Sequence, residues 1–185
     1  MVLAMARTRP TRGEGVRRRP KDRKAQIARA SAEAFSALGY YGVSMETIAQ
    51  RVGISAAALY RNYSSKYELF RDAVLSLGQQ LVDCTEFADE AAAGDPELTL
   101  RRLVSALIDT AMANRESGGL YRWEGRYLRG DDQATLIAQM RTVHRRIQRP
   151  LTAFRPELTS RQRWTLSTSV LSVIGSIVDH RQHRR

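Results

Sequence analysis

An all-α fold is predicted by three features of the sequence. Apolar residues recur at three- and four-residue steps along most of the chain, Ser and Pro stand where helices would begin and Gly where they would end, and no alternating run carries hairpin turn chemistry. The 185 residues are 43% hydrophobic, enough to bury a core in one or two domains. The single cysteine, Cys84, excludes an internal disulfide and a thiolate zinc cage, and nothing about it suggests an oxidising compartment. No apolar run approaches the ~18 residues that span a bilayer. The longest candidate, 171–178, is interrupted by Ser and Gly, and the segment before the first arginines is too short for a signal peptide. A cytoplasmic protein with no membrane partner is expected.

The first helix begins near Pro20–Lys21, where Pro suits the opening turn, presents Ile27, Ala30, Ala34, Phe35 and Leu38 on one face, and stops at Gly39. Ser44 caps a second helix with Ile48, Ala49 and Val52 inward and Gly53 beyond its end. Ser55 caps a short third helix carrying Leu59 and Tyr60. The capping box Ser65-x-x-Glu68 opens a long fourth helix, with Tyr67, Phe70, Val74, Leu77 and Leu81 in register, expected to run to the Ala-Gly-Asp-Pro break at 93–96. After Pro96 a helix carries Leu100, Leu103, Val104, Leu107, Ile108, Ala111 and Met112 as far as Gly118–Gly119, and a short aromatic segment spans Leu120 to Leu128. Leu136, Met140, Val143, Ile147 and Leu151 form a heptad-like stripe in which Pro150 implies a kink or a stop. The last helix, from about Thr159, is apolar on two sides: Leu166, Val170, Val173 and Ile177 on one, Trp164, Leu171, Ile174 and Val178 on the other. A monomer surface rarely tolerates that.

The formal charge of +11 is unevenly placed: residues 1–24 hold +7, residues 25–70 hold +1 and residues 71–185 hold +3. The N-terminal arm, which includes Arg17, Arg18 and Arg19, has too little apolar surface to fold alone. It reads as a solvated tail, an arm for DNA phosphates or the minor groove, or a contact to an anionic membrane.

Residues 45–63, METIAQRVGISAAALYRNY, meet the requirements of a helix-turn-helix in order. Ala49 is small where two helices cross, Gly53 can take the left-handed conformation, and Ile48, Val52, Ile54 and Leu59 face inward. Ser55 to Arg61 is thereby placed as an exposed helix able to enter a major groove. An ordinary helical hairpin would show the same pattern.

The stretch GYYGVSMETIAQRVGISAAALYRNYSSKYELF (39–70), with the helix around Phe35 before it, closely resembles the N-terminal domain of the TetR family of bacterial transcriptional regulators. The shared features are an aromatic after the first helix (Tyr40 or Tyr41), Ser44-x-x-x-Ile48-Ala49, Gly53-Ile54-Ser55, Leu59-Tyr60, Tyr63, and Lys66 in the Ser-Lys-x-Glu-Leu-Phe tail. The resemblance implies three parts: a basic arm (1–19), a three-helix DNA-binding domain (20–64), and a helical domain (65–185) that binds a small effector and forms a homodimer. It implies that Ser44 and Thr47 meet phosphates, that Ser55, Ala56, Ala57, Tyr60 and Arg61 line the recognition helix, that Tyr63 packs beneath or touches backbone, and that Lys66, in the turn before the fourth helix, reaches a phosphate. Hydroxyls and helix N-termini suit phosphate oxygens, and Arg can hold guanine bidentately. Many relatives carry Lys and Gly where this chain has Ala56 and Ala57, which shifts base discrimination toward Arg61, Ser55 and DNA shape. The arm then gains a partner in the neighbouring minor groove.

YRWEGRYLRG (121–130) concentrates aromatic and charged groups after a Gly-Gly pair. One reading makes Trp123 and Tyr127 plain core, with the arginines paired on the surface. The functional reading has Cys84, Phe87, Leu103, Leu107, Met112, Leu120, Tyr121, Trp123 and Tyr127 lining an effector cavity, and Arg122 or Arg126 holding the anionic head of an amphipathic carboxylate or acyl-thioester. Leu136, Met140, Val143 and Ile147, with Val170, Ser172, Val173, Gly175 and Ile177, are expected at the dimer interface, Thr168, Ser172, Gly175 and Ser176 allowing close approach. The two-fold would present two recognition helices to a palindromic operator on double-stranded DNA. Ligand-released repression follows from the resemblance. No cofactor, metal site or catalytic residue is expected: a Trp123/Glu124/Arg126 cluster or a His144/His180 pair lacks a nucleophile elbow, phosphate loop or close metal-ligand spacing. A non-specific DNA-packaging protein is the other alternative, against which the aromatic-rich second domain argues.

Overall fold

The computed structural model describes residues 20–90, 94–117 and 119–179, and the arm with Arg17, Arg18 and Arg19 lies outside them. These residues form nine α-helices and one 3-10 turn without strands: α1 Pro20–Gly42, α2 Met45–Val52, α3 Ala56–Tyr60, α4 Lys66–Cys84, α5 Phe87–Glu90, α6 Pro96–Ala113, α7 Leu120–Trp123, a 3-10 turn Gly125–Tyr127, α8 Gly130–Phe154 and α9 Ser160–Asp179. The all-α expectation holds. No helix among the described residues is long and apolar enough to cross a membrane.

The caps explain most boundaries. Ser44, Ser55 and Ser65 each accept a backbone N–H from the first turn of the helix that follows, and Asp95 accepts two, from Glu97 and Leu98. At Ser65 the box is displaced by one residue: Glu68 Oε2 accepts the N–H of Ser64 (2.8 Å), and this bond holds the Glu68 carboxyl below its ordinary range. Thr159 and Gln162 exchange bonds in the same manner at the start of α9.

Three expected boundaries are corrected. Gly39 does not end α1. At φ 71°, ψ 167° it kinks the helix, which resumes to Gly42. The fourth helix stops at Cys84 instead of reaching residue 93, because Thr85 turns its Oγ1 back onto the carbonyls of Leu81 and Val82 (2.9 Å each) and α5 starts afresh at Phe87. Pro150 neither stops nor ends α8, which continues to Phe154, because the missing N–H falls near the C-terminal end where few ladder bonds remain to be lost.

Two apolar cores lie along α4. Ile27, Phe35, Ile48, Leu59, Leu69, Phe70 and Val74 belong to the first, which also takes in Leu120, Leu128 and Leu136 from the C-terminal half. Leu81, Leu107, Val143, Ile147 and Ile174 form the second. Helix α4 contributes to both, so packing does not break at residue 64. The heptad-like stripe of α8 is corrected here for Leu136, Val143 and Ile147, which are buried within the subunit, while Met140 packs half-buried against both cores. A helix buries its most apolar stripe first, and α4 and α6, the helices against which α8 packs most extensively, claim it. The outer side of α8 shows Ile137, 45% exposed.

Helix α9 is apolar on two sides, but the stripes differ from those expected: Val170, placed in one stripe with Leu166 and Val173 and expected at the dimer interface, turns inward, and Trp164 is 49% exposed. Its inner side carries Ser167, Ile174 and the half-buried Val170 and Leu171, while its outer side carries Leu166 (44% exposed), Ser172 and Val173 (67% exposed), with Ile177 between. Gly175, expected to let two subunits approach, is buried within the subunit. A Cβ there would collide with the Arg122 guanidinium, so its missing side chain seats Arg122 of the same chain.

Arg146 is the buried charge on which the α4–α5 corner closes. Its guanidinium donates to the Val82 carbonyl, to Thr85 Oγ1 (3.1 Å) and twice to Asp89 Oδ2 (2.9 and 2.7 Å), with 7% of its side chain exposed. Arg146→Ala should lower stability by about 2 kcal/mol, since it strips donors from the broken helix end, and Asp89→Asn by less because that carboxylate is largely solvated. The Arg146 hydrogen bond holds the Asp89 carboxyl below its usual value. Its contribution is therefore fully present above about pH 4 and fades as the pH falls through the lowered value. Denaturant unfolding across that range should show Asp89→Asn losing less stability on acidification than the wild type.

Candidate nucleic-acid interface and effector cleft

Helices α2 and α3 are locked by backbone bonds at their turn. Gly53, left-handed at φ 72°, ψ 36°, donates to Gln50 O (3.1 Å), and Ile54 N–H reaches Ala49 O (3.0 Å). Ala49 and Ile48 are buried at the crossing and Leu59 is fully buried beneath α3. With that anchor inward, Ser55, Ala57, Tyr60 (49% exposed) and Arg61 face outward. Ala56 is half-buried against the core, so its methyl is turned away from the outer line. Ser44 Oγ accepts Thr47 N–H (3.1 Å) and lies 3.0 Å from Thr47 Oγ1, so two hydroxyls stand together at the start of α2. Among the described residues neither Arg51, in the last turn of α2, nor Arg61 is in an ion pair, which leaves both charges available to an anion.

Of two further expected contacts, Tyr63 takes the packing alternative and Lys66 sits differently. Tyr63 is 3% exposed, and burial together with the Asp72 carboxylate pushes its phenol up to about 12. It supports the domain from beneath and cannot reach a DNA backbone. Lys66 is the first residue of α4 rather than part of the preceding turn, and its Nζ lies 4.7 Å over the Tyr40 ring.

Tyr40 is the centre of a junction that the sequence marked only as an aromatic after the first helix. Its ring stacks on Tyr127 (5.7 Å) and meets Phe70 edge-on (4.8 Å). Its N–H donates to Glu124 Oε2 (3.0 Å). Arg126 Nη2 lies 3.9 Å from Glu124 and 3.3 Å from the Tyr127 hydroxyl. Glu124 and Tyr127 thus join the two halves of the chain rather than lining a cavity, and Arg126 pairs with both of them on the surface. A second tie lies beside it: Arg129 N–H donates to the Tyr67 hydroxyl (2.9 Å), which donates to Asp132 Oδ2 (2.7 Å).

A cleft of about 420 Å³, including its mouth, opens between α4, α6, α7 and α9. Leu77 and Leu81 of α4, Leu107, Thr110 and Ala111 of α6, Asn114 just after α6, Tyr121 of α7, and Leu171, Ile174 and Gly175 of α9 form its walls. Of the residues expected to line an effector cavity it gathers Leu107 and Tyr121, with Arg122 lying on Gly175 at the wall. The rest are elsewhere. Leu103 and Leu120 are packed in the interior, and Cys84 packs against the second core, where burial pushes its thiol up. Phe87 lies under the Arg102 guanidinium (4.6 Å), and Met112 and Trp123 are 48% and 57% exposed. Thr110 and Asn114 escape a reading of the sequence because isolated polar residues in or just past an amphipathic helix look like its solvent side. Asn114 Nδ2 donates to Gln80 Oε1 (2.8 Å) and Thr110 O (2.9 Å) at one end of the cleft.

The profile of bacterial regulatory proteins of the tetR family matches residues 27–73. The HTH-type transcriptional activator FasR of Mycolicibacterium smegmatis is 40% identical over 75 residues, which cover 36% of this chain and 34% of that protein, so the match spans about a third of its length. Among solved structures, the TetR family transcriptional regulator PfmR of Thermus thermophilus superposes with a TM-score of 0.71 at 24% identity, over 85% of this chain and 87% of that one. AibR, crystallised in complex with isovaleryl coenzyme A and operator DNA, superposes at 0.66 with 18% identity over 85% and 86%. The two structural likenesses speak for the fold, and the matched sequence segment for the helix-turn-helix. Over residues 27–73 the chain is therefore similar to the bacterial regulatory proteins of the tetR family.

Proposed function

We propose that this chain is a sequence-specific, DNA-binding transcriptional regulator that binds a palindromic operator as a homodimer and is released by a small ligand. One observation carries the reading: Ser55, Ala57, Tyr60 and Arg61 project from a helix pinned by the fully buried Leu59, next to the paired hydroxyls of Ser44 and Thr47. A protruding short helix beside a hydroxyl-lined helix start fits base edges and the adjacent phosphates. Against a duplex selected from random sequence, Arg61→Ala should weaken binding about 5- to 100-fold and relax specificity at one base pair. Deleting residues 1–18 should flatten the salt dependence. Equal affinity for random and selected duplexes at fixed salt would instead mark a packaging protein.

The dimer is assigned to the outer side of α9, where Leu166 and Val173 flank Ser169 and Ser172, with Ile137 of α8 as a further exposed apolar residue. Two solvent-facing branched side chains on one helix are an unfavourable surface for a lone subunit. The double substitution Leu166→Glu, Val173→Glu should give monomers in analytical ultracentrifugation, keep the helical circular dichroism, and lose most operator affinity. A wild type that stays monomeric at every concentration would overturn the assignment.

For the effector we favour an amphipathic carboxylate or acyl-thioester in the α4/α6/α7/α9 cleft, its tail against Leu81, Leu107 and Ile174 and its head toward Arg122. AibR, with its bound isovaleryl coenzyme A, supplies a parallel of the same chemical class. Decanoate and a decanoyl thioester should raise the melting temperature, and decanol should not. The opposite ranking would discard the anionic head. FasR is named an activator, so transcription from a promoter bearing the selected duplex, with and without the ligand, decides whether the bound chain represses or activates.

A further inference from the structure

We propose that Glu124 is the positioning residue that ties the cleft to the DNA-binding domain, by holding the Tyr40 N–H in a latch that filling the cleft withdraws. The inference rests on the cleft being the effector site. Its origin is the kink in α1. Gly39, at φ 71° and ψ 167°, interrupts the helix and turns the next amide, Tyr40 N–H, outward, where Glu124 Oε2 accepts it at 3.0 Å. An amide turned out of the helical ladder and left unpaired in a half-buried place is costly, so this acceptor from outside the domain fixes the end of α1 rather than decorating it. The Glu124 side chain is only 16% exposed.

The same short element touches the cleft. Tyr121 lines it and Glu124 stands three residues later on one turn, closed by the bond from Glu124 N–H to Leu120 O (2.9 Å). The two residues move together. The cleft's volume of about 420 Å³ counts its open mouth, so a ligand burying most of its surface there must push the lining outward, and α7 is the shortest element in that lining. Behind α7, Gly125 packs so tightly on α8 that a Cβ would stand 2.9 Å from Leu136 Cδ2. That contact blocks retreat toward α8 and leaves displacement along the α1 junction. Tyr127, stacked on Tyr40 and edge-on to Tyr41 at 5.4 Å, follows the same segment. Withdrawal of Glu124 therefore frees the α1 end that holds Tyr40 beneath Lys66, and with it the seat of the α1–α4 corner.

The test is amide hydrogen exchange at Tyr40, read beside affinity for a duplex selected by the wild-type chain. Glu124→Ala should speed Tyr40 exchange at least ten-fold and lower duplex affinity several-fold. Glu124→Gln, whose amide oxygen still accepts, should keep both near wild type. Ala111→Phe, which adds bulk to the α6 wall of the cleft, should reproduce the Glu124→Ala exchange, and the double variant should go no further than either single one. Ala111→Leu serves where Phe prevents folding. Decanoate is the small-molecule probe and should speed Tyr40 exchange in the wild type without touching the Ile48 amide. A Tyr40 amide as protected in the filled variant as in wild type, or additive losses in the double variant, would overturn the latch. Failure of the underlying reading looks different: decanoate then leaves the wild-type melting temperature unmoved, or the wild type selects no duplex at all, whereas a failed latch leaves duplex binding intact and insensitive to both substitutions.

Discussion

Helix α4 has to satisfy two cores with one continuous stripe. Its first half inserts Leu69, Phe70, Ala73 and Val74 among the helices of the DNA-binding domain, and its second half gives Leu81 to the core of the C-terminal bundle. A helix is stiff over this length, so any shift at one end is carried to the other. The aromatic group at the near end, Phe35 edge-on to Phe70 at 5.2 Å with Tyr40 beside both, makes that end dense, and dense packing passes displacement on rather than absorbing it. The position of α3 thus depends on the packing of α4, whose second half lines the cleft through Leu77 and Leu81.

Charge and aromatic surface divide the work in the rest of the molecule. Arg51 and Arg61 stand on the outer side of the helix-turn-helix without ion-pair partners among the described residues, whereas Arg146 is buried and fully engaged at the α4–α5 corner. Residue type alone does not tell these roles apart, since all are arginines on or beside helices. Neighbours do: a guanidinium near a broken helix end with a carboxylate in reach becomes structural, and one on an outward surface stays available to an anion.

How the helices begin and end was legible wherever a local interaction decides it. Ser44, Ser55 and Ser65 cap as expected, Asp95 and Thr159 stand at the expected starts of α6 and α9, and Gly53 takes the left-handed conformation that makes the helix-turn-helix. The outward set Ser55, Ala57, Tyr60 and Arg61 was legible too, because the buried Leu59 fixes the rotation of a short helix. The cleft was not. Its walls come from four helices far apart in sequence, and Trp123 and Met112, the most cavity-like residues by type, are exposed because their helices rotate another side inward. The aromatic segment 121–130 was recognised as special, and Tyr121 does line the cleft, but the junction that Glu124 and Tyr127 make with Tyr40 was not legible, since it needs a partner more than 80 residues away.

By itself the sequence determined the helical class, the caps, the helix-turn-helix and the family likeness of residues 27–73, all of which rest on interactions within a few residues or on a short stretch of matched pattern. Only the tertiary structure decided which stripe of α8 is core, that Gly175 seats Arg122, that Thr85 breaks the long fourth helix against Arg146, and that Glu124 reaches across to Tyr40. Each of those depends on how helices distant in sequence are rotated against one another, and an amphipathic pattern leaves that rotation open whenever a helix is apolar on more than one side.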